Sequence, residues 1–424
     1  MRRAMLLAFS LVLAATPLRA QEVVQQTPPQ QAADLTRVFL DCNTFGCDDD
    51  FFRTEITWVN FVRDRADAHV HVLVTAEGTG SGGRQFTITF DGIGSLAGVR
   101  DSLTTVTRQG DTDDEVRREL MRVLSVGLVR YARATSIGTQ LQVSLRSGAR
   151  TAAPGARGGR DPWNLWVFSI RTHTFSNGDD NYQNTSVFGN VNARRVSEAW
   201  KFSISSFFDY SQNSFKLTDS TLRTYQRSWG QSLLAVKSLS PHWSTGITTG
   251  ARSSKFENYS LSLDGTAAIE YDLFPYKEST RRQLIFRYGV GVRSFDYDSI
   301  TVYGKQKETR PMHQLTIAGE ARQKWGSLSI GLNGNQYLDE FSQRRASLSG
   351  GVNWRIVRGL EFNIDGYYEV VRDQLNIPRG ELTDDDILIR LRQLQSGYSY
   401  FTSFGLSYTF GSIFNNVVNP RFDR

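Results

Sequence analysis

Residues 259–273 decide the fold. Tyr259, Leu261, Leu263, Gly265, Ala267, Ile269, Tyr271 and Leu273 alternate with Ser260, Ser262, Asp264, Thr266, Ala268, Glu270 and Asp272. A period of two places the first set on one face of a β-strand and the second on the other. Strands of soluble sandwiches usually run about five or six residues, and this alternation is more than twice as long. One long face is apolar and the other polar, as a strand needs when lipid lies on one side and water on the other.

The pattern recurs on both sides of this stretch. Upstream it runs through Trp200, Phe202, Ile204, Phe208 and Tyr210, then through Trp243, Thr245, Ile247, Thr249 and Ala251. Downstream come Leu284, Phe286, Tyr288, Val290 and Val292, and then Leu315 and Ile317. Leu328, Ile330 and Leu332 follow, with Leu348, Val352, Trp354 and Ile356 after them. Leu360, Phe362, Ile364, Tyr368 and Val370 precede the last set, Tyr400, Phe404, Leu406, Tyr408 and Phe410. Less regular segments near Trp166, Val187 and Leu233 bring the expected number to about twelve, and single-chain bacterial barrels favour even numbers. Connections near 196–197, 240–241, 325–326 and 357–359 are short, while those near 214–221, 296–310 and 373–395 are mostly longer. That asymmetry puts both ends of the barrel on the periplasmic side. The expected fold is a transmembrane antiparallel β-barrel over 162–411, preceded by a small periplasmic α/β domain.

The chain of 424 residues has room for two or three domains. Arg2 and Arg3, an apolar run over 4–15 and small residues ending at Ala20 read as a signal peptide over 1–20, and the apolar run is shorter than the roughly 20 residues of a spanning helix. The mean hydropathy of −0.37 would suit a water-soluble chain, but a barrel escapes that test because only alternate residues face lipid. Removing the three arginines of the signal leaves 46 basic and 43 acidic residues, a charge of +3 against +6 for the whole chain. Basic residues are interspersed with acids, so no nucleic-acid partner is expected.

Residues 21–34, rich in Gln and Pro, read as a flexible leader, and 35–146 as the α/β domain. A strand over 38–40 leads to Cys42 and Cys47, which an oxidising compartment would join in a disulfide. Asp48, Asp49 and Asp50 suit a helix N-terminus, and Phe52, Ile56, Val59 and Val62 are expected along one face of that helix. Strands over 67–76 and 85–90 form a hairpin around the glycine-rich 78–83, which leads into a strand and so lacks the helix N-terminus of a phosphate loop. His69 and His71 share a face without a third ligand nearby, and no metal or cofactor is expected. Thr112 and Glu115 form a capping box ahead of a second helix carrying Val116, Leu120, Val123, Leu124, Leu128 and Tyr131. A last strand over 140–145 would complete a β-α-β-β-α-β order, followed by a linker over 147–161 and, after the barrel, a tail over 412–424.

Two patterns bear on chemistry. His173, Ser176 and Asn177 resemble the His-x-Ser-Asn element of outer-membrane phospholipases and lipid A deacylases, but His and Ser stand three apart where one strand face requires two, so an enzyme is not expected. The polar positions Lys201, Asp209, Asp264, Glu270, Arg287, Arg293, Glu320, Arg322, Arg355, Glu361, Asp365 and Glu369 should line the lumen, either as a selectivity lining or as paired charges that fill it.

The chain resembles bacterial outer-membrane β-barrels. Gly405, Leu406, Tyr408 and Phe410 are similar to the signal such barrels present to their assembly machinery, which makes that machinery and outer-membrane lipid the implied partners. The tail around Phe414, Asn415, Asn416, Pro420 and Phe422 looks like that of a family of uncharacterised salt-induced outer-membrane proteins. Three functions follow: a small-solute pore or transporter with a periplasmic accessory domain, a structural barrel that tethers the envelope through a periplasmic protein or the cell wall, and the lipid-modifying esterase.

Overall fold

A computed structural model describes residues 35–133 except 43, 161–380 except 217, 218 and 324, and 396–412, with the single positions 135, 138 and 421. The readings of the signal peptide, the leader, the strand over 140–145, the linker up to 160 and the tail apart from 412 and 421 lie outside the described residues.

The first unit runs β1 (Arg37–Cys42), α1 (Asp49–Glu55), β2 (Asn60–Phe61), β3 (Val70–Gly78), β4 (Arg84–Gly92), β5 (Arg100–Thr107) and α2 (Asp113–Ala132). Its sheet has the order β2-β1-β3-β4-β5. β1 is parallel to β2 and β3, and the remaining pairs are antiparallel. Alternation sends Val70, Val72, Val74, Phe86, Ile88 and Phe90 to one face, where they bury against Phe52 of α1 and Leu120, Leu124 and Leu128 of α2. Gly127 lets α2 approach β4 closely, since a Cβ there would lie 2.0 Å from the Phe90 ring. The opposite face, with Phe39, Asp41, His71 and Thr75, carries no helix among the described residues.

Local chemistry sets the element ends. Asp48 accepts from the Phe51 N–H and caps α1, and the Cys42–Cys47 disulfide, Cα atoms 5.7 Å apart, closes the loop that presents it. The expected helical face through Val59 and Val62 is corrected. α1 stops at Glu55, and the Trp58–Val62 stretch, rich in β-branched and aromatic residues, gives Asn60 and Phe61 to a strand beside β1. Thr112 and Glu115 form the full reciprocal box at the start of α2. Thr112→Ala is expected to cost about 1 kcal/mol and to speed amide exchange in the first turn of α2; unchanged exchange there would refute the cap.

The second unit is one antiparallel sheet of twelve strands, each paired with its neighbours in sequence. They are β6 (Trp166–Gly178), β7 (Tyr182–Val196), β8 (Trp200–Lys216), β9 (Thr221–Ser238), β10 (Trp243–Ser254) and β11 (Tyr259–Asp272), continuing with β12 (Arg282–Tyr297), β13 (Lys307–Gln323), β14 (Gly326–Tyr337), β15 (Arg344–Val357), β16 (Leu360–Val371) and β17 (Tyr398–Tyr408). Register runs straight across: Ile269 pairs with Tyr288, Tyr288 with Leu315, Leu315 with Gly334 and Gly334 with Ala346. Most of the large exposed side chains, among them Leu263, Ile269, Val290, Leu328, Ile364 and Phe404, therefore fall on a single face, while Phe175, Phe188 and Phe401 lie on the other. β6 and β17 are the two edges and are not paired with each other, so the expected antiparallel sheet of twelve strands is present and its ring is not closed.

Candidate functional site

All twelve charged candidates occupy the polar face of the large sheet. Asp264 stands opposite Arg293, Glu270 opposite Arg287 and Arg355 opposite Glu361, so antiparallel register sets opposite charges side by side. Arg287 Nη2 lies 2.5 Å from Glu270 Oε2, Arg322 Nη2 2.6 Å from Glu320 Oε1, and Arg355 Nε 3.1 Å from Glu361 Oε1. Glu369 binds Arg345, which also reaches Asp373. Lys201, Asp209, Asp264 and Asp365 join no ion pair among the described residues.

The two ends of the sheet differ. At one end lie the connections 197–199, 239–242, 273–281 and 358–359 and the turn at Trp325, and against them sits the N-terminal domain, its helix-free face turned toward the polar face of the sheet. Arg355 donates from Nη1 and Nη2 to Asp41 Oδ2 and Oδ1, at 2.5 and 2.9 Å. Its guanidinium also lies over the Phe39 ring, 5.1 Å from the centroid. His71 Nε2 is 3.3 Å from Asp41 Oδ2. Burial alone would raise the Asp41 carboxyl, but hydrogen bonds from Arg355 and His71 outweigh it and hold it well below the usual carboxylate range. Because Arg355 serves Asp41 and Glu361 together, it ties the domain to β15 and β16.

Further contacts spread around the same end. Ser279 Oγ donates to Glu77 Oε1 at 2.9 Å, the Gly359 N–H donates to Asp64 Oδ2 at 2.6 Å, and Arg358 Nη2 lies 2.7 Å from Asp67 Oδ2. Arg63 Nη1 donates to the Ser412 carbonyl at 2.9 Å. At the tip of the β3–β4 hairpin a Cβ on Gly80 would lie 2.5 Å from Val196 Cβ, so only glycine fits against the end of β7. Between β3 and strands β13 to β16 remains a cavity of about 350 Å³, lined by Asp41, Thr75, Glu320, Arg322, Arg355 and Asp365 among others.

At the opposite end the loop over 372–380 folds across the polar face. Leu375, 2% exposed, packs with Phe295, Tyr297, Met312 and Tyr337, with Tyr259 beside them. Asn258, in the left-handed region at φ 59°, donates to the Ser299 and Asn376 carbonyls at 2.9 and 3.0 Å. The Val302 N–H bonds Ile377 O, and the Arg379 N–H bonds Ile300 O. Three loops are thereby interlocked over an apolar cluster.

The esterase geometry is absent at His173 and Ser176. β6 pairs with β7 in unbroken register from Trp166 to Gly178, so the two side chains leave opposite faces of the strand. His173 shares its face with Asp209 through Phe188, whereas Ser176 Oγ is 3.3 Å from Asn184 O and from Thr185 Oγ1. His69 and His71 also find separate partners, Arg37 and Asp41. Sequence reasoning placed Arg355 and Glu361 together on the polar face but missed Asp41; its one signal was its phase, since it shares a strand face with Phe39 rather than with the core residue Val38.

No family model matches the sequence, and no curated protein does. Among solved structures the chain is similar to the NanC porin, at 7% identity over 57% of this chain and 99% of that one with a TM-score of 0.26. It is also similar to the CymD monoaromatic hydrocarbon channel, at 10% identity over 58% of this chain and 87% of that one with a TM-score of 0.27.

Proposed function

We propose that the twelve strands close into an outer-membrane barrel whose lumen is a path for small hydrophilic solutes, capped from the periplasm by the N-terminal domain and narrowed outside by the 372–380 loop. The observation that carries this reading is the Asp41–Arg355 fork. It fastens the helix-free face of a folded domain to the inner wall of the sheet, where a merely structural barrel has no need of a cap. Support for a membrane setting comes from the apolar face, whose exposed Leu, Ile, Val, Phe and Tyr side chains would be a severe aggregation hazard in water.

Closure follows from the edges. The Asp179 N–H bonds Tyr182 O, so odd-numbered residues of β6 turn their backbone groups to β7 and even-numbered ones turn theirs to the open edge. The Thr409 N–H bonds Gly359 O, which leaves the even positions of β17 at its edge as well. In a bilayer those groups must pair, since nothing else there can satisfy them. Followed straight across the sheet, the row of partners from Tyr398 arrives level with Asn164, so setting Tyr398 against Gly178 offsets closure by 14 residues. That even offset keeps every side chain on its face, overlaps the two strands along their full length, and puts Phe168 beside Tyr408 and Ile170 beside Leu406.

Single-channel recording in planar bilayers tests the cap. The intact protein should show low, intermittent conductance, and Asp41→Asn, which removes the charge that Arg355 grips, should raise the open fraction about tenfold or more. Equal conductance in the two proteins would refute the cap, and a silent Asp41→Asn barrel would favour the tethering function.

A further inference from the structure

β8 and β9 run to 17 and 18 residues, although a membrane strand needs only about 9–11. On the apolar face of β9 the order runs Leu233, Gln231, Trp229, Arg227, Tyr225, Arg223, all of them exposed. The wall thus changes from apolar to basic as it leaves the hydrocarbon. Arg227 pairs across to Tyr210 and Arg223 to Ser214, so neither meets an acid on β8. Lys255 joins them from the next hairpin: its N–H bonds the Arg227 carbonyl at 3.2 Å, and Nζ sits 4.0 Å from the centre of the Tyr225 ring. The nearby acids are Asp219 at the hairpin tip and Glu257, which is bound to Arg252 on the polar face.

We infer that Arg223, Arg227 and Lys255, with Tyr225 between them, form a binding surface for the phosphates of a glycolipid headgroup in the outer leaflet. The inference rests on the membrane-spanning reading above. Three cations on a lipid-facing wall lie at the level of the headgroups, where phosphate is the complementary charge. Guanidinium groups match phosphate oxygens in bidentate fashion, and an aromatic ring at that height gives the sugar a flat partner. The patch lies on the outside of the wall, separate from the charges of the polar face, and so binds membrane rather than solute.

The test titrates bisphosphorylated lipid A, and the same lipid after enzymatic removal of both phosphates, into the full mature chain folded in neutral detergent, with bound lipid counted by native mass spectrometry. The wild type should prefer the phosphorylated lipid, and Arg223→Gln/Arg227→Gln should bind it about thirtyfold more weakly, at about 1 kcal/mol per basic residue. Lys237→Gln, on the same face beside Trp200 at the opposite end of the wall, should bind like wild type. Equal binding of both lipids by the wild type, or equal binding by the double variant, overturns the surface. Faster migration on unheated gels is scored in parallel: a folded barrel without phosphate dependence defeats this inference alone, whereas a chain that never gives the fast form defeats the membrane reading with it.

Discussion

Val290→Arg is expected to abolish most barrel assembly, while Glu270→Gln, close by on the other face, leaves it intact. Val290 is 49% exposed on the apolar face, paired with Ala267 on one side and His313 on the other. An arginine on the lipid face near the bilayer midplane costs about 2–4 kcal/mol, a large part of the marginal stability of most folds. Glu270 lies on the polar face, where an amide in place of the carboxylate can still accept from Arg287. Migration of unheated samples and recovery in outer-membrane fractions read the difference. Normal assembly of Val290→Arg together with failure of Glu270→Gln would exchange the two faces.

The second large effect is at the cap. Asp41→Ala leaves Arg355 without its forked partner but not without Glu361, so the loss in docking is about 2 kcal/mol, within the range for a hydrogen bond to a charged group. That corresponds to about thirtyfold in the undocked population. Thr75, 3% exposed on the helix-free face, is the reporter: a Thr75→Cys thiol should label about thirtyfold faster when Asp41 is alanine, and equal rates would contradict the fork. The pH dependence has a definite sign. Asp41 is depressed when docked and returns toward about 4 when released. The stabilisation is therefore fully present above the released value and is lost as pH falls below it toward the docked one. Labelling at each pH with a pyridyl disulfide, which reacts with thiols in acid, should show no opening at pH 6 and progressive opening below about pH 4.

Much of the large sheet was legible because a period of two, sustained for a dozen residues, has one physical reading. Once the period is known, the polar set follows by parity alone, which is why the sequence puts Glu270 and Arg287 on one face, where they form an ion pair. β5 was not legible. Its residues Arg100–Thr107 offer only Leu103 as a large side chain toward the core, and an edge strand with one exposed flank needs no more. The end of α1 was hidden because Val59 and Val62 keep helical spacing while their backbone turns into β2. The Asp41–Arg355 contact joins positions 314 apart, and no local pattern carries information over that distance. The helix-free sheet face was readable in principle, since Phe39, Asp41, His71 and Thr75 share a phase and have no helix to cover them.

Closure of the sheet is the claim on which the lumen, the cap and the lipid-facing wall all depend. In the proposed register Ser169 and Ser407 oppose each other at a non-hydrogen-bonded position, where Cα atoms stand about 4.5 Å apart and a disulfide can form. Ser169→Cys/Ser407→Cys, made in membranes and oxidised, should therefore cross-link within one chain, giving a band that no longer shifts on heating until reductant is added, while Ser169→Cys with Thr409→Cys links less. Cross-linking only between chains, or none at all in a protein that fractionates with the outer membrane, would contradict a closed barrel.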